Sequence, residues 1–192
     1  MSDDLSMTEA PTPASWSGQL LIAGPSLGDP NFDRTIVYLL EHGPDGALGV
    51  VLNRPSEFDV IDALPLWSTV TGRAAKVFSG GPVEAGLAIG LARVRDPIDC
   101  PGWSPVAGEI GTVDLSMAPG AIAAGVDTAR VFIGYAGWGA GQLDEELEVG
   151  AWFVVAPDAD DLFTAEPEHL WGSVLRRRAA RKAMDAWNPS WN

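Results

Sequence analysis

Apolar positions fall along the chain in short, nearly continuous runs punctuated by glycine and proline, the pattern of buried strands rather than of long amphipathic helices. Order is expected to begin at Trp16, and the first run, Leu20-Leu21-Ile22, stops at Gly24-Pro25. Two further runs, Thr35 to Glu41 and Ala47 to Leu52, flank the turn cluster His42-Gly43-Pro44-Asp45-Gly46 and predict a hairpin. Both are apolar at successive rather than alternate positions, so the predicted sheet is covered on both faces.

Pro55 is expected to end the second strand of that hairpin, and Asp59 to cap a short helix whose apolar face is Val60, Ile61, Ala63, Leu64 and Trp67. Pro65 shortens or kinks it. Lys76 to Ser79 predicts a strand, Gly80-Gly81-Pro82 a tight turn, and Leu87 to Val94 its continuation as a second hairpin or a bulged turn. Arg95 to Gly111, with three prolines and Trp103, reads as a long loop. A short strand at Thr112 to Leu115, a small helix at Gly120 to Gly125 and a strand at Ala129 to Tyr135 follow. That last strand opens into glycines around Trp138 and then an acidic helix. Ala151 to Ala156 forms another strand, closed by Pro157. The final helix, Glu168 to about Trp187, carries Trp171, Leu175, Ala179 and Ala183 along one side, with Arg177, Arg181, Arg178 and Lys182 off that stripe.

Composition narrows the picture. A chain of 192 residues with 46% hydrophobic content suits a single domain, expected over residues 16–187 with loose tails at 1–15 and 188–192. The formal charge is −14, and residues 1–175 hold 25 acids against seven bases, a net of −18. A body that acidic repels phosphate backbones, which disfavours nucleic-acid binding outside the basic terminal helix. No apolar run reaches the length of a membrane span and no basic segment precedes an apolar core, so a cytoplasmic location is expected. Cys100 is the only cysteine and His42 and His169 the only histidines, so no disulfide, no metal site and no cofactor is expected.

The stretch richest in candidate chemistry is Val131 to Trp152, where Gly134, Gly137, Gly139 and Gly141 surround Trp138. Strand, glycine-rich turn and helix in succession, with Asp158 about 20 residues on, suggest a dinucleotide site. Two features oppose it. Gly137-Trp138-Gly139-Ala140-Gly141-Gln142 lacks the last glycine of GxGxxG, and Asp144, Glu145 and Glu146 crowd the turn where a pyrophosphate would sit. The simpler reading is a structural joint. A second polar set, Asp29, Asn31, Asp33 and Arg34 with Asn53 and Arg54, flanks the first hairpin; it serves either as local turn bonding, with an arginine paired to a nearby acid, or as an anion site. Glu41 and His42 are adjacent on a strand and so point to opposite faces, and Ser79 lacks a GxSxG elbow, so no catalytic residues are assigned.

Five segments, taken in order, carry a family resemblance: GQLLIAGPSLGDPNFDRTIVYLLEH from Gly18, GALGVVLNRP from Gly46, FSGGPV from Phe78, GYAGWGAGQLDEEL from Gly134 and GAW from Gly150. Over roughly residues 17–172 the chain resembles the YqgE/AlgH family of small bacterial proteins. The resemblance implies an α/β (α+β) domain with a mixed, largely antiparallel sheet and flanking helices. Some members carry a transcriptional-regulator label. The arginine-rich end and Cys100 lie outside the matching segments.

The leading expectation is a non-catalytic binding or regulatory module for an unknown protein or small-molecule partner. Its candidate contact residues are Asp29, Arg34, Asn53, Arg54, Gly80, Gly81, Gly137, Trp138, Gly141 and Gln142, with the two glycine turns close in space. The alternative is a hydrolase or other enzyme with an acidic cleft, its divalent cation held by residues such as Asp144 and Glu145. A third reading is nucleic-acid binding by the basic terminal helix, and the oligomeric state is left open.

Overall fold

The computed structural model describes residues 15–95 and 102–187, so the expectations for the N-terminal tail, for Cys100 and for 188–192 fall largely or wholly outside the described residues. The apolar runs form strands of one ten-stranded sheet. β1 (Leu20–Ala23), β2 (Ile36–Gly43) and β3 (Gly46–Val51) lie side by side, and β2 and β3 form the predicted hairpin with Gly43 opposite Gly46. With β4 (Pro55–Asp59), β5 (Lys76–Ser79), β6 (Val83–Val94), β7 (Trp103–Ala107), β8 (Ile110–Val113), β9 (Val126–Trp138) and β10 (Trp152–Val155), the order is β10-β1-β2-β3-β9-β6-β8-β7, and β5 joins β4 to β9. Every pairing is antiparallel except that of β5 with β9, so the sheet is mixed and largely antiparallel.

Continuous apolar runs do bury both faces. On β1 and β2, Leu20, Ile22, Ile36, Tyr38 and Leu40 point into one core and Leu21, Val37 and Leu39 into another. The first core is closed by helix α5 (Pro167–Ala186) through Leu170 and Val174. The second is closed by helix α4 (Gln142–Glu148) through Leu143 and by Phe32 of a short 3-10 turn. A third core, with Trp67, Val77, Val94 and Val131, lies at the other end of the sheet. Among the described residues no helix is long and apolar enough to cross a membrane.

Several expectations are corrected. The predicted long loop at Arg95 to Gly111 contains β7 and the start of β8, an edge hairpin. Pro105 is tolerated because β7 has a neighbour on one side only. Pro55 opens β4 rather than merely ending β3. The single helix after Asp59 is two short ones, α1 (Val60–Ala63) and α2 (Ser68–Thr71), separated around Pro65. Asp59 stands at the N-cap position of α1, but its side chain accepts no capping hydrogen bond; its carboxylate pairs with Lys76 Nζ at 2.7 Å. The small helix after Pro119 is α3 (Gly120–Ala123). On α5, Trp171 and Leu175 of the expected stripe pack partly against the core, but Ala179 and Ala183 are exposed, and the packed side continues through Leu170, Val174 and Arg177. Arg177 forms a bidentate pair with the buried Asp161 and a 3.0 Å contact with Asp158, while Arg178 lies 3.8 Å from the Phe153 ring centre. These arginines are therefore not a merely solvated face: Arg177 binds the helix to the acidic loop of its own domain, and Arg178 packs on β10.

Candidate functional site

The two glycine motifs meet. β5 and β6 do not pair with each other; they lie on opposite sides of β9, with Val131 to Ile133 between them. The chain passes from one side of β9 to the other at Gly80-Gly81, directly against Gly134 and Tyr135. A Cβ on Gly80 would stand 2.2 Å from the Gly134 carbonyl oxygen, and one on Gly81 2.2 Å from the Tyr135 carbonyl carbon. Gly134 itself has φ +70° and would strike the Gly81 carbonyl oxygen at 2.5 Å. Only residues without a side chain let two backbones approach this closely. The expected tight turn at Gly80-Gly81-Pro82 is thus a crossover, anchored by Gly80 N–H to the Ile133 carbonyl and by Val51 N–H to the Gly80 carbonyl, both at 2.8 Å.

Beyond the crossover, β9 continues through Gly137 and Trp138, so the expected strand end at Tyr135 lies too early. The Trp138 ring is buried with Phe32 and Trp152: Trp138 and Trp152 meet edge to face at 5.7 Å, and Phe32 approaches Trp152 at 5.4 Å. Both indole N–H groups donate to the same carboxylate oxygen, Glu146 Oε2, at 2.8 Å. Glu146 Oε1 accepts from the Gln142 amide at 2.8 Å, and Gln142 Oε1 accepts from Gly139 N–H at 3.0 Å. Gly141, with φ +73°, turns the chain into α4. Of the carboxylates counted above as obstacles to a pyrophosphate, Asp144 and Glu146 therefore have partners within the fold. Asp144 lies 3.4 Å from His42 Nε2, and His42 Nδ1 accepts from Trp16 N–H, leaving the Nε2 side of the ring to face Asp144. Among the described residues no three histidine, cysteine or carboxylate side chains converge where they could hold a metal ion.

The polar set at the first hairpin is likewise engaged locally. Asp29 Oδ1 accepts from Asn31 N–H, and Asn53 bridges Ile36 N–H and the Arg34 carbonyl, each bond near 2.9 Å. Arg54 donates to the carbonyls of Asn31 and Asp33, and Arg34, at φ +51°, stacks over Trp171. Neither arginine takes the acid partner expected for it. Asn53 and Arg54 border the crossover, since Ser79 N–H donates to the Arg54 carbonyl. Gly137, Trp138, Gly141 and Gln142 lie beyond it, at the other end of the motif. There a groove of about 460 Å³ is lined by Glu41, Asp45, Leu48, Val83, Tyr135 and Gly137. Gly137 and Trp138 pair with Leu48 and Ala47 of β3, while the β6 pairing ends at Tyr135, so one backbone edge borders this groove.

Comparison with known proteins decides the family. The AlgH-like family model matches residues 20–182. The chain belongs to the AlgH-like family. Similar relatives include a UPF0301 protein of Streptomyces avermitilis, 46% identical over 95% of both chains, and one of Mycobacterium tuberculosis, 40% identical over 90% of this chain and 87% of the relative. Among solved structures, a crystal structure of a Corynebacterium diphtheriae protein superposes with a TM-score of 0.78 at 30% identity, covering 88% of this chain and 89% of that one. The solution structure of AlgH from Pseudomonas aeruginosa gives 0.67 at 27% identity over 96% and 100%.

Two residues of this AlgH-like protein escaped the sequence reading. Glu146 was one acid among several, and only the folding of β10 back beside α4 brings the Trp152 indole to it. Arg130 was an ordinary strand residue. In the fold its guanidinium is largely buried 4.3 Å from the Phe78 ring centre, and burial lowers its pKa to about 10. A charged residue inside an apolar run was the one available signal.

Proposed function

We propose that this AlgH-like protein is a non-catalytic binding module of the cytoplasm, and that it receives an extended, basic segment of a protein partner in the groove lined by Glu41, Asp45, Tyr135 and Gly137. The observation that carries this reading is the backbone edge of Gly137 and Trp138, paired on the β3 side and bordering the groove on the other. Such an edge adds a strand from a partner through main-chain hydrogen bonds. The carboxylates of Glu41 and Asp45 in the same lining favour lysine or arginine in that strand. Engagement of Glu146, Asp144 and Asn53 in structural bonds supports binding over hydrolysis. A regulatory role would then act through a protein, because the acidic body repels nucleic acid.

The test is affinity capture from a native lysate with the wild type and a Glu41→Lys/Asp45→Lys variant whose melting temperature matches it. The expected result is a partner held by the wild type, released by salt and lost in the variant. Equal recovery by both proteins, or a retained partner lacking a basic segment, would sink the groove reading. Trp138→Ala is the wrong probe, because it collapses the Glu146 network whatever the function.

A further inference from the structure

Arg130 projects from β9 into a cavity of about 390 Å³ on the side of the sheet occupied by Phe78 and the start of α5. The volume lies in the range of small-ligand sites. Its polar lining includes Thr71, Lys76, Thr128, Thr164 and Glu168. Arg130 Nη2 donates to the Thr164 carbonyl at 2.6 Å, and Nη1 is buried with no hydrogen-bond partner. Among the described residues no carboxylate lies within ion-pairing distance of this guanidinium, whereas Lys76 is already paired with Asp59. A buried, charged donor without an acceptor is costly, and a fold that keeps one beside a cavity leaves an acceptor to be supplied from outside.

We propose that this cavity binds a small oxyanion, a carboxylate or a phosphate, with Arg130 as its principal ligand. The planar guanidinium presents donors in a fork matched to two oxygens of one anion. The first turn of the 20-residue α5 borders the same cavity, so the positive end of its dipole adds to the attraction. With a pKa near 10 the guanidinium stays charged at neutral pH. Glu168, an exposed carboxylate on the same lining, is the internal competitor. The site is separate from the Gly137 groove and stands or falls independently of it.

The full chain is titrated with inorganic phosphate and, separately, with succinate, against chloride at matched ionic strength, by calorimetry and by melting temperature. One salt is expected to saturate at one site and raise the melting temperature, and which one does so assigns the anion class. Arg130→Gln is expected to weaken that binding at least about tenfold, the scale of a lost charge-assisted bond. Glu168→Gln is expected to tighten it several-fold by removing the competitor, and this variant decides the matter if Arg130→Gln does not fold. The Glu41→Lys/Asp45→Lys variant is expected to bind the anion as the wild type does. No saturation with either salt, undiminished binding by folded Arg130→Gln, or unchanged affinity in Glu168→Gln overturns the proposal.

Discussion

Replacing Gly80 by alanine tests whether the glycine motifs serve the backbone crossover. The new Cβ would lie 2.2 Å from the Gly134 carbonyl oxygen, where real Cβ contacts essentially never fall below 3.0 Å, so the two chains must part by at least about 0.8 Å. Both are backbone, and no rotamer change relieves the contact. Parting them stretches the Gly80 N–H to Ile133 bond and the Val51 N–H to Gly80 bond, each 2.8 Å, beyond useful length. Two buried backbone bonds left unsatisfied cost about 1–3 kcal/mol each, so the expected loss is roughly 2–6 kcal/mol. That is a substantial part of the ~5–15 kcal/mol typical of a domain, and at about 2–4 °C per kcal/mol it lowers the melting point by roughly 4–24 °C. The control is Gly86→Ala, where nothing lies within 4 Å, with an expected change within about 0.5 kcal/mol. Urea and thermal unfolding followed by circular dichroism and tryptophan fluorescence measure both. A Gly80→Ala protein that melts within about 2 °C of the wild type would refute the crossover argument.

Two further outcomes follow from buried polar groups. Glu146→Ala leaves the indole N–H groups of Trp138 and Trp152 without their acceptor; roughly 2–4 kcal/mol of stability is expected to disappear in urea titrations, with a shift in tryptophan emission, and an unaltered midpoint would count against the network. Burial raises the Tyr38 phenol from 10.0 to about 12, so the unfolded chain releases that proton first; the associated stability is complete below pH 10 and lost as pH rises to about 12. The lowered pKa of Arg130 acts in the opposite direction over the same range, so the comparison is made between wild type and Tyr38→Phe. The wild type is expected to lose ~2 kcal/mol more than the variant between pH 9 and pH 12, and parallel curves would refute it.

How legible the molecule was depended on the range of the interactions. The β2–β3 hairpin was readable because its turn residues and both strands lie within twenty positions, and its pairing is local. The β7–β8 hairpin was not, because Pro105 and the exposed positions of an edge strand mimic a loop. The stripe on α5 was misplaced toward the alanines: the packed side includes Arg177, whose burial depends on an aspartate sixteen residues away. The candidate site shows the same division. That Gly134, Gly137 and Trp138 mattered was visible as composition, but that Gly80-Gly81 crosses Gly134, or that one glutamate holds two indoles, was not.

The chain's local pattern by itself determined most of the strands, the two-faced burial of the sheet, the acidic body and the family segments, because these rest on propensity, periodicity and charge within a few residues. Only the tertiary structure decided that two glycine motifs some fifty residues apart are one backbone crossing, since the need for glycine comes from distant segments so close that an added Cβ would stand 2.2 Å from a carbonyl oxygen. It likewise turned Arg177 of α5 inward to Asp158 and Asp161 and left Arg130 beside a cavity with an unpaired donor. Charge can be counted along a chain, but its compensation depends on which groups folding brings within a few ångströms of one another.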